Sequence, residues 1–319
     1  MTKSLLPLAI DVDGTLLRSD ITQEMFWLGI LKFPWFTPKI LYLIATDRPA
    51  LKAFLMPRLR AVFNPKHLPY NQDVLKRAKA HHEAGGEVIL CSGSEHGLIE
   101  TIAAEFEFID AGYGTSETVN LVMGNKAGFL TDRYPDGFIY IGNSTQDFKV
   151  WAAADEGLAI APPKGTETIK TKTGKPVHIL EPRLSEFGAL FEAARPALIP
   201  FYLLAYMFIA YLAPHQASQS LSQAAVGFAA LCFGLCGGII LNDLYGVAKD
   251  RAHAAKKYRP LASGRLSATL TAIAGGVLIL AAMGLTIALS APYRNIILMT
   301  LGLCLTGLWL RALKNSVFQ

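Results

Sequence analysis

Asp11 and Asp13 stand one residue apart where the apolar run LAI at 8–10 ends, and Gly14 and Thr15 break the chain immediately after them. Two like charges in one small volume repel, and burying them is costly unless a cation shares the site. A divalent ion such as Mg2+ resolves that conflict. With the pair neutralised, Asp11 can attack a phosphorus atom, while Asp13 passes a proton to the leaving oxygen and later takes one from water. That chemistry calls for further groups at later strand ends, and the sequence supplies them. Ser92 in ILCSGS can donate to a phosphoryl oxygen, Lys126 in GNKAGFL can offset charge on an aspartyl-phosphate, and Asn143 and Asp147 in IGNSTQD can serve the metal.

A second set lies in IILNDLYGVAKDRAHAAKKYRPLASG, residues 239–264. Asp243 and Asp250 are seven residues apart, two helical turns, so both carboxylates face one way. They fall where an apolar run ends, a depth at which charge is costly and usually functional. Mg2+ held there could bridge to a diphosphate, with Lys256 and Arg259 offsetting the remaining charge. The bland alternative is that the two acids only end a helix and the basic loop only sets topology.

The elements that must carry these groups fall into two parts. A chain of 319 residues is long enough for two domains, and most of its charge precedes about residue 195. Up to about residue 180, short apolar runs (LAIDVDG, EVILCSGS, FIYIGNS, EGLAIAP) alternate with amphipathic stretches such as NQDVLKRAKAHHEAGG. That rhythm predicts a parallel α/β sheet, whose ligands collect at the carboxyl ends of the strands. His81 and His82 sit on the polar part of one amphipathic stretch and read as solvated. A dinucleotide site is not expected, because its glycine fingerprint is missing.

Between Leu17 and about Tyr70 lies an aromatic-rich insertion interrupted by Pro34 and Pro38. It reads as a small helical cap over the strand ends that could rest on lipid, or equally as a helical pair with its own core, and as too broken to span a bilayer. Beyond it, apolar runs at about 197–213, 223–245, 268–290 and 294–311 each approach the roughly 20 residues a crossing needs. Lys249, Arg251, Lys256, Lys257, Arg259 and Arg265 fill the loop after the second run, whereas 214–222 has no Lys or Arg and the turn near 293 has only Arg294. The positive-inside rule then places that loop, and the first domain with it, in the cytoplasm.

Composition narrows the partners. A net charge of +5, with no basic stripe interleaved with aromatics, argues against nucleic acid and leaves anionic lipid or phosphate. Of the four cysteines, Cys232, Cys236 and Cys304 sit in apolar stretches, and nothing suggests a disulfide framework. Cys232 and Cys236 share a helix face but lack further metal ligands nearby. The N-terminus turns acidic too soon for a signal peptide.

The first set of residues resembles the haloacid dehalogenase superfamily, with DxDGT, the Ser strand end, the Lys and the GNSxxD strand end in the right order. That resemblance implies Asp11 as nucleophile, Asp13 as general acid/base, Ser92 and Lys126 as phosphate binders, and Asn143 or Asp147 beside Asp11 and Asp13 as metal-site residues. Asn143 stands where many relatives carry Asp, which lowers the charge of the site and makes Asp147 the expected metal anchor. The second set resembles the NDxxDxxxD and RPxxxG motifs of the UbiA family of intramembrane prenyltransferases, matched by Asn242, Asp243, Asp250, Lys256, Arg259, Pro260 and Gly264. There the implied metal residues are Asp243 and Asp250, with Asn242, Lys256 and Arg259 on a substrate diphosphate. Gly246 replaces the middle Asp of that motif. ARPALIP keeps Arg195 and Pro196 but not the His-Gln and Lys-Asn that usually follow, and the chain stops about where relatives approach a second Asp-rich motif.

The order of the two parts resembles bacterial fusions related to decaprenyl-phosphate phosphoribosyltransferases. The resemblance implies a Rossmann-like haloacid dehalogenase domain over 1–185, with a cap at about 18–70, followed by an all-α bundle over 186–319 in the inner membrane. It implies Mg2+, polyprenyl phosphate and phosphorylated sugar substrates, and a partner chain or oligomer to complete the bundle. Rival expectations are a degenerate anchor or binding module carrying a phosphatase, and a prenyltransferase with an aromatic acceptor.

Overall fold

The computed structural model describes residues 5–59, 64–116, 120–183, 185–212 and 221–289, together with Arg294, Ile297, Leu298, Gly302 and Thr306. Strand β1 (Leu8–Ile10) is followed by four helices, α1 (Ile21–Lys32), α2 (Thr37–Thr46), α3 (Arg48–Leu59) and α4 (Gln72–Glu83). Then come β2 (Val88–Glu95), α5 (His96–Ala103), β3 (Ala111–Thr115), α6 (Gly124–Arg133), β4 (Ile139–Gly142), α7 (Phe148–Ala153), β5 (Glu156–Ile160) and β6 (His178–Glu181). The last stretch is helical: α8 (Glu186–Ala193), α9 (Ile199–Leu212), α10 (Leu221–Ala252) and α11 (Ala268–Ile287). Two compact units result, Met1–Phe26 with Pro49–Ser185, and Trp27–Arg48 with Glu186–Gln319.

In the first unit all six strands are parallel, in the order β3-β2-β1-β4-β5-β6. The four runs singled out in the sequence are β1, β2, β4 and β5; β3 and β6 extend the sheet at its edges. Helices α5 and α7 occupy crossovers between neighbouring strands and α6 lies on the longer crossover from the edge strand β3 to β4, which leaves the central strands buried on both faces and explains their nearly continuous apolar sequences. Ile89, Cys91, Leu130, Phe138, Tyr140, Val150 and Trp151 form the core beside them. Because the chain runs outward from β1 in both directions, the crevice of this sheet opens at the carboxyl ends of β1 and β4. Asp11 and Asn143 directly follow those ends.

The insertion after β1 is helical, as expected, but the units divide it, with Trp27–Arg48 counted in the second. Of its two marked prolines, only Pro34 breaks a helix. Pro38 lies in the first turn of α2, where no intrahelical N–H is lost. Helix α1 and the segment Pro34–Thr46 meet at 108° and together are apolar enough to count as one broken span or a re-entrant loop.

Three helical segments of the second unit are long and apolar enough to cross a membrane: Glu186–Phe208, Ser222–Ala252 and Ala268–Ile287. The first begins well before the expected 197, because α8 runs on into α9 through the short turn Pro196–Leu198. The expected span at 294–311 lies almost entirely outside the described residues. Helix α10 has 32 residues, about 48 Å at 1.5 Å per residue, so it outruns a hydrocarbon core of about 30 Å by several turns. Its surplus is the polar end from Asn242 onward. Helices α10 and α11 approach closely at Gly237 and Gly275, where a Cβ on Gly237 would meet the Gly275 carbonyl at 2.9 Å and one on Gly275 would meet the Leu241 side chain at 2.7 Å.

Candidate functional site

At the switch point of the sheet, the Asp11 N–H donates to the Ile141 carbonyl (2.9 Å), which fixes the residue as β1 gives way to a tight loop. Gly14 turns that loop with φ +75, and a Cβ there would lie 2.0 Å from Asn143 Nδ2. Glycine is needed twice over, for the dihedral and for the contact. We expect Gly14→Ala to displace Asn143 and to destabilise the first unit by about 1–3 kcal/mol, read as a lower denaturation temperature with loss of activity. An unchanged melt would contradict the packing.

Lys126, on α6, is buried with its Nζ 2.6 Å from Asp11 Oδ1 and 3.6 Å from Asp147 Oδ1. It also donates to the Tyr140 hydroxyl (3.1 Å), which in turn donates to Asp147 Oδ1 (2.5 Å). Asp147 Oδ2 accepts from the N–H groups of Asn143 (3.1 Å) and Ser144 (2.9 Å) and from Ser144 Oγ (3.0 Å). Both oxygens of Asp147 therefore face protein donors. In these contacts it caps the turn after β4 and orients Lys126. Asn143 differs: its Oδ1 is buried with no hydrogen-bond partner.

Asp13 is held by three donors. Ser92 Oγ (3.0 Å) and Ser94 Oγ (2.7 Å) reach its Oδ2, and the first N–H of α1, from Ile21, reaches its Oδ1 (2.7 Å). Ser92, at the end of the buried part of β2, thus serves Asp13 directly, and Ser94 and Tyr140 join the site without having been expected. Their signal in the sequence is modest: Ser94 is the second hydroxyl of CSGS, and Tyr140 is a phenol in a strand read as wholly buried, where its hydroxyl must find partners.

Burial dominates the electrostatics. It pushes the Asp11 carboxyl up to about 7, against the opposing pull of Lys126 and with help from Asp147 and Asp13. Burial, then the neighbouring Asp20, also raises Asp13, while its three donors act the other way. Burial likewise lifts the Cys91 thiol to about 12. Two carboxyls raised by desolvation, one touching a lysine and the other holding serines, provide one group suited to nucleophilic attack and one suited to proton transfer.

A hard cation fits here on one observation, the orphaned Asn143 Oδ1 beside Gly14. Among the described residues no group of three His, Cys, Asp or Glu side chains could hold a metal. Mg2+ would accordingly draw on one or two carboxylates, the Asn143 amide oxygen and water, which suits an ion that keeps much of its hydration.

In the second unit, Asp243 and Asp250 are both buried and both reached by one guanidinium nitrogen: Arg259 Nη1 lies 3.2 Å from Asp243 Oδ1 and 2.7 Å from Asp250 Oδ2. Arg195 Nη2 spans the two oxygens of Asp243 (2.7 and 2.9 Å). Its backbone has φ +52, a left-handed conformation that a non-glycine residue adopts only when its surroundings impose it. Asn242 precedes Asp243 in α10, and Lys256 lies half-buried in the turn Lys256–Tyr258. A Cβ on Gly246 would have nothing within 4 Å. Arginines therefore neutralise both acids, and the open space at Gly246 provides no third ligand.

Residues 199–316 match the model of the UbiA prenyltransferase family. In the chain this segment follows the parallel α/β unit in which the end of β1, β2, α6 and the turn after β4 carry Asp11, Ser92, Lys126 and Asn143. Over 270 residues it is 29% identical to the uncharacterized protein y4nM of Sinorhizobium fredii, covering 82% of this chain and 51% of that protein. The chain thus spans about half the length of the curated relative it matches. Similar solved structures include a HAD-family hydrolase from Salmonella enterica serovar Typhi, 15% identical, covering 55% of this chain and 68% of that one with a TM-score of 0.39. A protein with unknown function from Bordetella pertussis Tohama I is 14% identical over 55% of this chain and 99% of that one, TM-score 0.41. A haloacid dehalogenase-like hydrolase from Streptococcus pneumoniae is 16% identical over 56% and 94%, TM-score 0.37.

Proposed function

We propose that the first unit is a Mg2+-dependent phosphomonoesterase working through a covalent phosphate on Asp11, and that the second holds it at the inner membrane with its site in the cytoplasm. The observation that carries this reading is the 2.6 Å contact of Lys126 with one oxygen of Asp11, beside an Asp13 fixed by Ser92 and Ser94. Asp11 attacks phosphorus through its other oxygen. Asp13, protonated on arrival, gives its proton to the leaving alkoxide as the P–O bond breaks, and the alcohol departs. Water then attacks the phosphorus of the acyl phosphate while Asp13 takes back a proton, releasing inorganic phosphate and restoring the Asp11 carboxylate. Lys126 offsets charge throughout, held in place by Asp147 and Tyr140. Mg2+, when bound by Asp11 and Asn143, supplies the positive charge that lets two anions approach.

The substrate we assign is a polyprenyl-phosphoryl 5-phosphopentose or a related phosphorylated lipid. The pairing with a UbiA-type segment supports it, since a lipid confined near the site is presented at high effective concentration. The cytoplasmic placement rests on the six basic residues between Lys249 and Arg265. In nanodiscs, the protein is expected to release phosphate from such a lipid at least about tenfold more efficiently than from soluble pentose phosphate. Equal efficiency on both would remove the lipid assignment.

Transfer of a phosphoribosyl or prenyl group by the second unit is the accompanying proposal. A diphosphate would have to draw Arg195 and Arg259 away from Asp243 and Asp250, with Asn242 and Lys256 adding contacts. The pairing of both acids with arginines favours a second reading, in which this segment serves as an anchor; turnover of phosphoribosyl diphosphate and polyprenyl phosphate by the full protein separates the two.

A further inference from the structure

We infer that the elbow between α1 and α2 is a lipid-contacting device, seated in the headgroup layer of the bilayer that the second unit occupies. Helix α1 has 12 residues and α2 has 10, about 18 and 15 Å, so neither crosses a core of about 30 Å, and the 108° bend prevents them from doing so as one rod. Yet the elbow is built for an apolar surrounding. Phe33, Trp35 and Phe36 pack on one another with ring centroids 6.0–6.2 Å apart around Pro34. Within residues 35–44, Trp35 (64%), Leu41 (51%), Tyr42 (65%) and Ile44 (39%) remain exposed.

In the first unit, by contrast, large exposed hydrophobics among the described residues are few and scattered: Leu5, Met123 and Ile179. Most of the others lie on α8–α11, the helices whose length and composition suit a membrane. The elbow therefore shares the surface character of the spans and differs from the first unit.

Two features set its depth. Trp27 Nε1 donates to Thr269 Oγ1 (3.2 Å), and Thr269 is the second residue of α11, so the hairpin is tied to the end of a crossing helix rather than to its middle. The exposed side chains include Trp and Tyr, which favour the membrane interface, and Lys32 and Lys39 flank the elbow as cations do beside anionic headgroups.

The test uses tryptophan emission of the whole protein in nanodiscs of phosphatidylcholine and phosphatidylglycerol, comparing the wild type with Trp35→Phe. The difference spectrum isolates Trp35. We expect it to be blue-shifted, quenched by lipids brominated near the carbonyl end of the chain, less so by lipids brominated near the methyl end, and little affected by aqueous iodide. Tyr42→Trp in the Trp35→Phe background should restore the shallow-quenched component. Quenching by iodide would place the elbow in water, and a blue-shifted emission untouched by either bromolipid would place it against protein; both overturn the inference. It rests on the membrane reading of the second unit and is independent of the phosphatase chemistry, which this readout does not involve.

Discussion

Asp11→Asn is expected to lower phosphate release by at least about 10^4-fold while leaving the protein folded. The amide has the shape of the carboxylate but cannot become an acyl phosphate, so the first covalent step disappears instead of slowing. Stability should hold or rise. Burial outweighs the pull of Lys126 and pushes the Asp11 carboxyl up to about 7, so the wild-type charge is maintained against a desolvation cost that a neutral amide avoids. Lys126 keeps a second anion, Asp147 at 3.6 Å. Activity assays beside thermal melts in nanodiscs check both halves of the expectation. A variant within tenfold of the wild-type rate, with deamidation excluded by mass spectrometry, would contradict Asp11 as nucleophile.

Lys126→Met should act in the opposite way on stability. Its ammonium sits between Asp11 and Asp147 and touches the Tyr140 hydroxyl, with all four groups buried. Removing it leaves two buried carboxylates without their cation, a change that typically costs about 3–5 kcal/mol. It also removes a donor facing the charge that builds on the phosphoryl group, for about 10^2–10^3 in kcat. The pH dependence has a definite sign. Lys126 is the group that lowers the Asp11 carboxyl against burial, so without it Asp11 keeps its proton to higher pH and the acid limb of the rate profile moves upward. A carboxyl raised in the folded state gains stability as it is protonated, so the variant should recover part of its lost stability between about pH 8 and about pH 6. A melt that falls monotonically as the pH is lowered over that range would contradict the coupling.

Much of this site is legible in the amino-acid sequence, for a physical reason. Asp11 and Asn143 follow apolar strands and Ser92 ends the apolar part of β2, and at the ends of parallel strands a polar residue interrupting an apolar run marks a crevice. The elements that are harder to read have a weaker pattern. Strand β3 reads AGYGT and has no apolar run, because α5 packs so closely that a Cβ on Gly112 would meet the Ile99 carbonyl at 2.8 Å and one on Gly114 would meet His96 Cα at 2.6 Å. Strand β6 reads HILE and lies at the sheet edge, half solvated, its Glu181 accepting from Arg18 (2.7 and 3.0 Å) and Asn71 (3.2 Å).

The acid pair of the second unit shows the same limit. Spacing puts Asp243 and Asp250 on one side of α10, but no local pattern announces that Arg195, nearly fifty residues earlier, folds back onto Asp243 (2.7 Å). The sequence favours Asp147 over Asn143 as the metal anchor, and it cannot show which of them is already occupied by protein donors. Geometry separates them by hydrogen bonding, since Asp147 is saturated by protein donors while the Asn143 amide oxygen has none. Assignment of either to the cation remains part of the proposal.

The covalent step is the claim on which the enzymology stands, and it can be read directly. Turnover with the lipid substrate is quenched in acid, the protein is reduced with borohydride, and the peptide carrying Asp11 is sequenced by mass spectrometry. An acyl phosphate at that position predicts homoserine in place of Asp11, with Asp13 unchanged. Substrate consumed with position 11 still aspartate, or homoserine found elsewhere, would contradict the account.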